Sequence, residues 1–170
     1  MQAYRCAYRD RLEAGKQLAA HLLEHAESPD AVVLALVRGG VPVAFELARI
    51  LRLPLDVVVP DEEKESAARM YRSGRKPVDL ENKLVILVDD GLTRQDVVRD
   101  AMENVSMMKP RRTIVAVPLA SQSKCSHIES AADTVVCPLL VKGGDTPYIC
   151  YEDQSEVTDD QVQSFMRSRV

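Results

Sequence analysis

The sequence predicts a single α/β domain of three layers, in which helices cover both sides of a doubly wound, mainly parallel sheet of about five strands. Two runs carry this prediction, because residues 31–37 and 84–88 are apolar at every position, as in strands buried on both faces. Strand patterns also alternate with helical patterns along the chain. The 170 residues are 46% hydrophobic and no linker rich in Gly, Pro or Ser divides them, so we expect one domain over residues 1–170.

The first predicted element is a helix that runs to about Ala26. Asp10 followed by Glu13 forms a capping-box-like pattern at its start, and its apolar stripe includes Leu12, Ala19, Leu22 and Leu23. The next predicted elements are strand 31–37, helix 41–52, strand 55–59, a polar excursion over 60–82, strand 83–88, helix 94–108, strand 113–117, helix 122–132 and strand 134–137. Finally, Val162, Phe165 and Met166 predict a short helix that packs back on the domain.

Charge and composition exclude several kinds of partner. The net charge is −4 and no Lys/Arg cluster is long enough to follow a phosphate backbone, so we expect no nucleic-acid partner. The longest apolar run is far too short to cross a bilayer, so we expect no membrane partner. Four cysteines without a CxxC pair, and an N-terminus without a basic segment followed by an apolar one, favour a cytoplasmic protein.

Polar groups follow the two strands that are apolar throughout. Asp89, Asp90 and Gly91 end the second strand, and Arg38, Gly39 and Gly40 end the first, just before a predicted helix. Ligands of open parallel sheets bind outside the carboxyl ends of the strands, and a helix start supplies free N–H groups for an anion. The two acids could therefore bind sugar hydroxyls or a metal. Alternatively, they form a solvated strand end in which one carboxylate accepts from local backbone N–H groups.

A second pattern points to a metal on weaker grounds. His21, Glu24 and His25 match the H-x-x-E-H arrangement of inverted zinc peptidases, and the two histidines share a face of the predicted helix. They lie at the edge of the apolar stripe and the sequence offers no evident third ligand. We therefore expect the match to be accidental.

The two site segments, together with three further stretches, resemble the type I phosphoribosyltransferases, and among them a bacterial-type branch of poorly defined substrate. The matching stretches are YRDRLEAG at 8–15, VLALVRGGVPVA at 33–44, LVDDGL at 87–92, VAVPLA at 115–120 and VTDDQV at 157–162. The combination is specific, whereas VDDG alone would be weak.

The resemblance implies a site for 5-phosphoribosyl 1-diphosphate with Mg²⁺, and so a small sugar phosphate or nucleotide as partner and a place in nucleotide metabolism. Asp89 and Asp90 would be the catalytic and metal-binding pair and would hold the ribose 2′ and 3′ hydroxyls. The substrate-binding residues would be those that face the pyrophosphate and those whose backbone cradles the 5′-phosphate: Arg38, Gly39, Gly40, Gly91, Leu92, Thr93, Arg94 and Gln95. The resemblance also suggests a homodimer, which no residue pattern here establishes.

The chain departs from the family pattern in the phosphate loop. Gln95 stands where the family carries a glycine, so the backbone loses the residue that most easily wraps an anion. Thr93-x-x-Asp96 is itself a capping-box pattern, and it places a carboxylate in the first helical turn, where the 5′-phosphate would bind. Charges about 5 Å apart at an effective dielectric near 20 repel by roughly 3 kcal/mol, or about a hundredfold in affinity.

The second departure is a shortened segment between strands 55–59 and 83–88. The family carries there a basic patch and part of the hood that covers the acceptor base, whereas this chain carries Asp61, Glu62 and Glu63. We therefore expect a phosphoribosyltransferase-like core with a reduced hood. The favoured hypothesis is a degenerate relative that keeps a weak Mg²⁺-dependent site and acts as a binding or regulatory module. The alternatives are an active phosphoribosyltransferase with an unknown nitrogen base as acceptor, and some other phosphate chemistry.

Overall fold

A computed structural model describes residues 6–60, 64–92, 94–141 and 151–168. The strands are β1 (Ala31–Leu36), β2 (Leu55–Val58), β3 (Leu84–Val88), β4 (Arg112–Ala116), β5 (Leu119–Ser121), β6 (Thr134–Val136) and β7 (Leu139–Val141). The α-helices are α1 (Arg11–Ala19), α2 (Gly40–Leu51), α3 (Lys64–Arg72), α4 (Gln95–Ser106), α5 (Gln122–Glu129) and α6 (Asp159–Arg167), and a 3₁₀ helix covers Leu23–His25.

The main sheet has five strands in the order β2-β1-β3-β4-β6, and all neighbouring strands are parallel. Every residue of β1 and β3 is buried. One apolar core includes side chains of α1, α2 and α6, and a second core, on the other face, includes side chains of α4 and α5. This arrangement confirms the predicted three-layer, doubly wound fold.

The strand order reverses between β1 and β3, which is the topological switch point of the sheet. Ala35 pairs with Val88 in the parallel register, so the segments that leave these two strands lie side by side. The predicted site residues follow β1 and β3. The fold therefore brings both segments to one place at the carboxyl edge.

The first helix ends earlier than predicted, at Ala19 rather than near Ala26. Beyond Leu18 the chain tightens into bonds between residues three apart, and this turn buries Leu22 while Leu23 remains 57% exposed. The predicted apolar stripe was therefore wrong at Leu23, and also at Leu12, which is 39% exposed.

The early end of α1 also separates the two histidines of the H-x-x-E-H match. His21 lies beyond the helix, and His25 lies in the 3₁₀ helix, where its Nε2 is 3.4 Å from Glu24 Oε1. The expectation that both histidines share one helical face was wrong.

Two elements were not predicted. The polar excursion contains α3, whose buried Ala68 and Tyr71 are three residues apart on one helical face of an otherwise polar segment. The second element is the small parallel sheet formed by β5 and β7, whose strands have three residues each. Each of these elements is too short for its periodicity to be evident in the sequence.

A buried ion pair attaches α3 to the edge strand β2. Asp56 is 3% exposed, and its Oδ1 accepts from Arg72 Nε at 2.7 Å and from Val57 N at 2.8 Å. Its Oδ2 accepts from Val78 N at 2.9 Å. Because the carboxylate is fully hydrogen-bonded, the pair can stay buried and fix the chain that returns from α3.

Among the described residues, no helix is long and apolar enough to span a membrane.

Candidate ligand site at the switch point

The diglycine turn after β1 packs directly on the acidic end of β3. A Cβ on Gly39 would lie 2.5 Å from Asp90 Oδ2, and a Cβ on Gly40 would lie 2.6 Å from the Val88 carbonyl oxygen. Both distances are far shorter than any real contact of a Cβ atom. A side chain at Gly40 would meet fixed backbone, and one at Gly39 would displace the Asp90 carboxylate, so the two predicted segments form one structural unit.

Arg11, at the start of α1, is the closest cation to the acidic pair among the residues that the structure describes. Its Nε donates to Asp90 Oδ2 at 2.9 Å, and the two side chains are only 18% and 22% exposed. Its guanidinium also donates to the Ser155 carbonyl at 2.9 Å and lies 5.3 Å from the ring centroid of Tyr151. These contacts hold the cation against one carboxylate of the site.

Tyr151 supports the same carboxylate through the backbone. Its hydroxyl donates to the Asp90 carbonyl oxygen at 2.6 Å, and its ring centroid lies 5.9 Å from that of Tyr8. Burial, followed by the charge of Asp90, raises the pKa of Tyr151 well above its ordinary value. The phenol therefore stays neutral and acts as a donor.

Asp89 is half-buried, and its Oδ1 accepts from the backbone N–H of Asp90 at 2.8 Å. This contact agrees with the alternative interpretation, in which one carboxylate at the strand end accepts from a local backbone N–H group. Burial raises the pKa of Asp89 well above its ordinary value, and the neighbouring Asp90 carboxylate raises it further. A carboxyl with such a pKa favours either a proton or a nearby cation.

Arg38 follows a cis peptide bond after Val37, and its side chain extends toward α6. Its guanidinium nitrogen lies 3.4 Å from Asp159 Oδ1, and the Tyr71 hydroxyl donates to the same oxygen at 2.7 Å. Burial, together with the hydrogen bond to Asp159, raises the pKa of Tyr71 to about 12. The arginine expected at a pyrophosphate thus already has an internal carboxylate partner.

The segment after Gly91 differs from the predicted helix start. Thr93 lies outside the described residues, and α4 begins at Gln95 with Arg94 as its N-cap, which makes no side-chain capping bond. The Thr93-x-x-Asp96 capping pattern depends on Thr93 and so falls outside the described residues, while the N-cap lies at Arg94 and Asp96 is the second helical residue. Asp96 nevertheless lies in the first turn, near the positive end of the helix dipole.

Side chains around this loop divide into a buried and an exposed group. Gly91 and Leu92 are buried, and Leu92 is part of the second core, so only its backbone is available to a ligand. Arg94 and Asp96 are exposed, and Gln95 is half-buried. The loop therefore offers backbone groups and polar side chains at the same edge of the sheet as the acidic pair.

Sequence reasoning did not single out four residues that shape this site: Arg11, Tyr71, Tyr151 and Asp159. Arg11 reaches Asp90 across 79 positions of sequence, and Arg38 reaches Asp159 across 121. Two of the four lie inside stretches that carried the family resemblance, Arg11 in 8–15 and Asp159 in 157–162. That resemblance was the available signal, because local periodicity does not reveal contacts of this range.

The acidic pair fits Mg²⁺ only in part. Carboxylate oxygens are the ligands that Mg²⁺ prefers, and this ion commonly binds one or two carboxylates and completes its shell with water and substrate oxygens. Within the described ranges, no group of three or more His, Cys, Asp or Glu side chains could hold a metal ion. Asp89 and Asp90 therefore suit an ion that is shared with a ligand.

Together, the doubly wound sheet and the acids and glycines at its switch point define an open α/β protein with a candidate ligand site at the carboxyl edge. The model of the phosphoribosyl transferase domain matches residues 7–148. The chain therefore belongs to the phosphoribosyl transferase domain family, which confirms the resemblance found in the sequence.

The chain is similar to solved structures and to proteins of known sequence from three organisms. The structure is similar to that of TT1426 from Thermus thermophilus, with a TM-score of 0.84 and 28% identity over 95% of this chain and 98% of that one. It shares its fold with a purine phosphoribosyltransferase from Pyrococcus horikoshii, with a TM-score of 0.52 and 22% identity over 81% and 91% of the two chains. Two Mycobacterium tuberculosis proteins, named only provisionally as phosphoribosyl transferases, are 26% identical over 92% of this chain.

The chain spans about half of the length of those mycobacterial relatives, since the match covers 46% of each.

Proposed function

We propose that the protein binds phosphoribosyl diphosphate, or a related sugar phosphate or nucleotide, together with Mg²⁺ at the switch point. The affinity is lower than a transferase needs, and the protein acts as a binding or regulatory module. The observation that carries this proposal is the ion pair between Arg11 Nε and Asp90 Oδ2 at 2.9 Å, because it occupies a carboxylate that the ligand requires.

The electrostatics of the site support weak binding. A ribose hydroxyl that donates to Asp90 must share the carboxylate with Arg11, which Ser155 and Tyr151 hold in place. An anionic group that approaches Arg38 must compete with the carboxylate of Asp159. Asp90 is thus paired in a mostly buried contact and Arg38 in an exposed one, and the first contact in particular lowers the free energy available for a ligand.

Mg²⁺ would be held by Asp89 and Asp90 and by oxygens of the ligand. The ion supplies neutralisation of the negative charge on a diphosphate. On the protein side, burial and then the charge of Asp90 raise the pKa of Asp89; an ion at this position favours the charged carboxylate, so binding releases a proton wherever Asp89 is protonated beforehand. Binding should therefore weaken as the pH falls toward the acid range.

A second candidate function is transfer of ribose 5-phosphate from phosphoribosyl diphosphate to a nitrogen base. The close packing of Gly39 on Asp90 and of Gly40 on Val88 favours it, because the unit that would position the sugar and the diphosphate is intact. In this reaction the bond from the anomeric carbon to the diphosphate breaks, and a bond to the base nitrogen forms. The carboxylates would fix the ribose, while the backbone near Gly39 would stabilise the departing charge.

Calorimetric titration with phosphoribosyl diphosphate and Mg²⁺ tests the first proposal. We expect saturable binding tighter than about 1 mM, corresponding to about −4 kcal/mol. The Asp89→Asn, Asp90→Asn double variant should lose this binding, whereas Glu129→Gln, a control in the last turn of α5, should keep it. The absence of saturation in the unmodified protein would refute the proposal.

The same samples separate the two candidate functions. Release of pyrophosphate is measured with each nucleobase in the presence of phosphoribosyl diphosphate and Mg²⁺. The binding module predicts saturable binding without base-dependent release. Base-dependent release that disappears in the double variant would establish the transferase instead.

A further inference from the structure

A groove lies at the edge of the sheet opposite to the acidic pair. It has a volume of about 1030 Å³ and is formed by the end of α2, the start of β2, the chain after α3, and α6. Because the strands are parallel, the start of β2 lies at the amino edge, and Asp89 and Asp90 lie at the carboxyl edge. The groove is therefore separate from the candidate ligand site.

The groove concentrates positive charge in a protein of net charge −4. Among the described residues that line it, four are cationic and none is acidic: Arg49, Arg52, Arg75 and Lys76. A cluster of one sign creates a local potential that attracts ligands of the opposite sign, whatever the net charge of the whole chain.

Two of these cations have no acidic partner among the described residues. Arg49 pairs with Glu46 and Arg52 with Glu27, so their charges are offset locally. Arg75 instead donates to two backbone carbonyls, those of Arg72 at 3.2 Å and Met166 at 2.8 Å, which orients its guanidinium without neutralising it.

Lys76 is the second cation without such a partner. It is exposed, and within the described residues it makes no hydrogen bond or ion pair. The groove thus presents an oriented guanidinium beside a free ammonium on adjacent residues. This pair suits the several oxygens of a phosphate or diphosphate group.

The remaining lining is apolar. Leu53, Leu55, Phe165 and Met166 contribute to it, and the Phe165 ring is held by Phe45, with their centroids 5.0 Å apart at an angle of 51°. A half-buried aromatic ring in a fixed orientation offers a stacking surface for a flat apolar group. Apolar lining with a few converging charged groups is typical of small-molecule sites.

We propose that this groove binds a nucleotide, with its base against the half-buried ring of Phe165 and its phosphates on Arg75 and Lys76. The volume lies at the upper end of the range for sites of small molecules, roughly 300–1,000 Å³. Such a ligand combines a flat apolar base with a multiply charged phosphate group, and the groove has an aromatic ring for the first and cations for the second. The site does not depend on Mg²⁺ or on the acidic pair.

The groove is also connected to the switch point through α6. Phe165 and Met166 near the end of this helix line the groove, and Asp159 at its start is the partner of Arg38. A nucleotide that shifts α6 would change the contact that occupies Arg38. The groove is therefore placed to regulate the site at the other edge.

ADP without Mg²⁺, in the presence of EDTA, is the probe. The protein is labelled with ¹³C at the methionine methyl groups, and only six signals are expected because the chain has six methionines. We expect ADP to shift the signal of Met166, which packs beside Phe165 and is assigned with Met166→Leu, while the signals of Met107 and Met108, which follow the end of α4, stay in place. Adenosine and pyrophosphate alone should each bind at least about tenfold more weakly than ADP, because adenosine lacks the phosphates and pyrophosphate lacks the base.

Variants locate the site. Lys76→Glu should weaken ADP binding at least about tenfold. Arg49→Gln should weaken ADP binding less, because Arg49 is already paired with Glu46. Arg99→Glu, an exposed residue of α4 on the other face of the sheet, is the matched control and should leave the affinity unchanged. The Asp89→Asn, Asp90→Asn double variant should also bind ADP normally, which separates this inference from the proposed function.

Several outcomes would overturn the inference: no shift of Met166 up to several millimolar ADP, equal affinity in Lys76→Glu, or loss of ADP binding in the double variant. Pyrophosphate that binds as tightly as ADP would show that the apolar lining is not used.

Discussion

Replacing Gly39 with alanine tests whether the diglycine turn and the acidic pair form one unit. The new Cβ would lie 2.5 Å from Asp90 Oδ2 and 2.9 Å from Asp90 Cγ. The carboxylate must move by roughly 1 Å to restore an ordinary contact, and this movement pulls it away from Arg11, whose Nε is 2.9 Å from the same oxygen.

The cost has two parts. Overpacking costs about 1–3 kcal/mol, and loss of a hydrogen bond between charged groups costs about 1.5–3 kcal/mol. Part of this is offset by the smaller conformational freedom of alanine in the unfolded chain, about 0.4–1 kcal/mol. We therefore expect Gly39→Ala to lower the free energy of unfolding by about 3 kcal/mol, and Tm by roughly 6–12 °C.

Urea denaturation and thermal melts measure this loss, and Gly91→Ala is the matched control. A Cβ on Gly91 would lie 3.7 Å from the Leu119 carbonyl oxygen, an ordinary contact, so this variant should lose less than about 1 kcal/mol. In an Asp90→Ala background, the cost of Gly39→Ala should also fall below about 1 kcal/mol. Equal losses at the two glycines, or an unchanged cost without Asp90, would refute the packing argument.

Three further predictions concern single charges. Because the pKa of Asp89 is raised in the folded state, the protein loses stability as the pH rises from the ordinary carboxyl pKa toward the pKa of the folded state. The Asp89→Asn variant lacks this loss, so its Tm should exceed that of the unmodified protein by a margin that grows with pH over this range. Asp96→Asn should tighten the binding of phosphoribosyl diphosphate about tenfold, as measured by calorimetry. The gain is smaller than the hundredfold expected for an unscreened charge because Asp96 is exposed, and an unchanged affinity would refute the electrostatic argument. Arg72→Met leaves Asp56 buried without its cation and should cost about 3–5 kcal/mol in urea denaturation, and a loss below about 1 kcal/mol would show that the pair is structurally dispensable.

The layers of the fold were predictable from sequence because the strongest patterns are also the most buried. The fully apolar runs became β1 and β3, and the alternation of strands and helices gave the parallel sheet. Shorter or more polar elements could not be predicted in this way. In α3, only Ala68 and Tyr71 reveal the buried face, and the end of α1 depends on a tight turn that buries Leu22.

The candidate site was predictable in part. Arg38, Gly39, Asp89 and Asp90 follow strands, and the rule for parallel sheets is enough to bring them to one edge. Sequence could not show that Arg11 is held on Asp90, since the two residues are 79 positions apart and only the fold brings them together. The predicted helix 94–108 begins at Gln95, one residue later than expected, with Arg94 as its N-cap.

The most direct test of the site is an NMR titration of the glycine-labelled protein with phosphoribosyl diphosphate and Mg²⁺. The chain has seven glycines, so their amide signals can be assigned and followed one by one. Binding at the switch point predicts shifts at Gly39, Gly40 and Gly91, and none at Gly15 or Gly74. A titration that leaves the first three signals in place, or that shifts Gly74 instead, would contradict the assignment of this site.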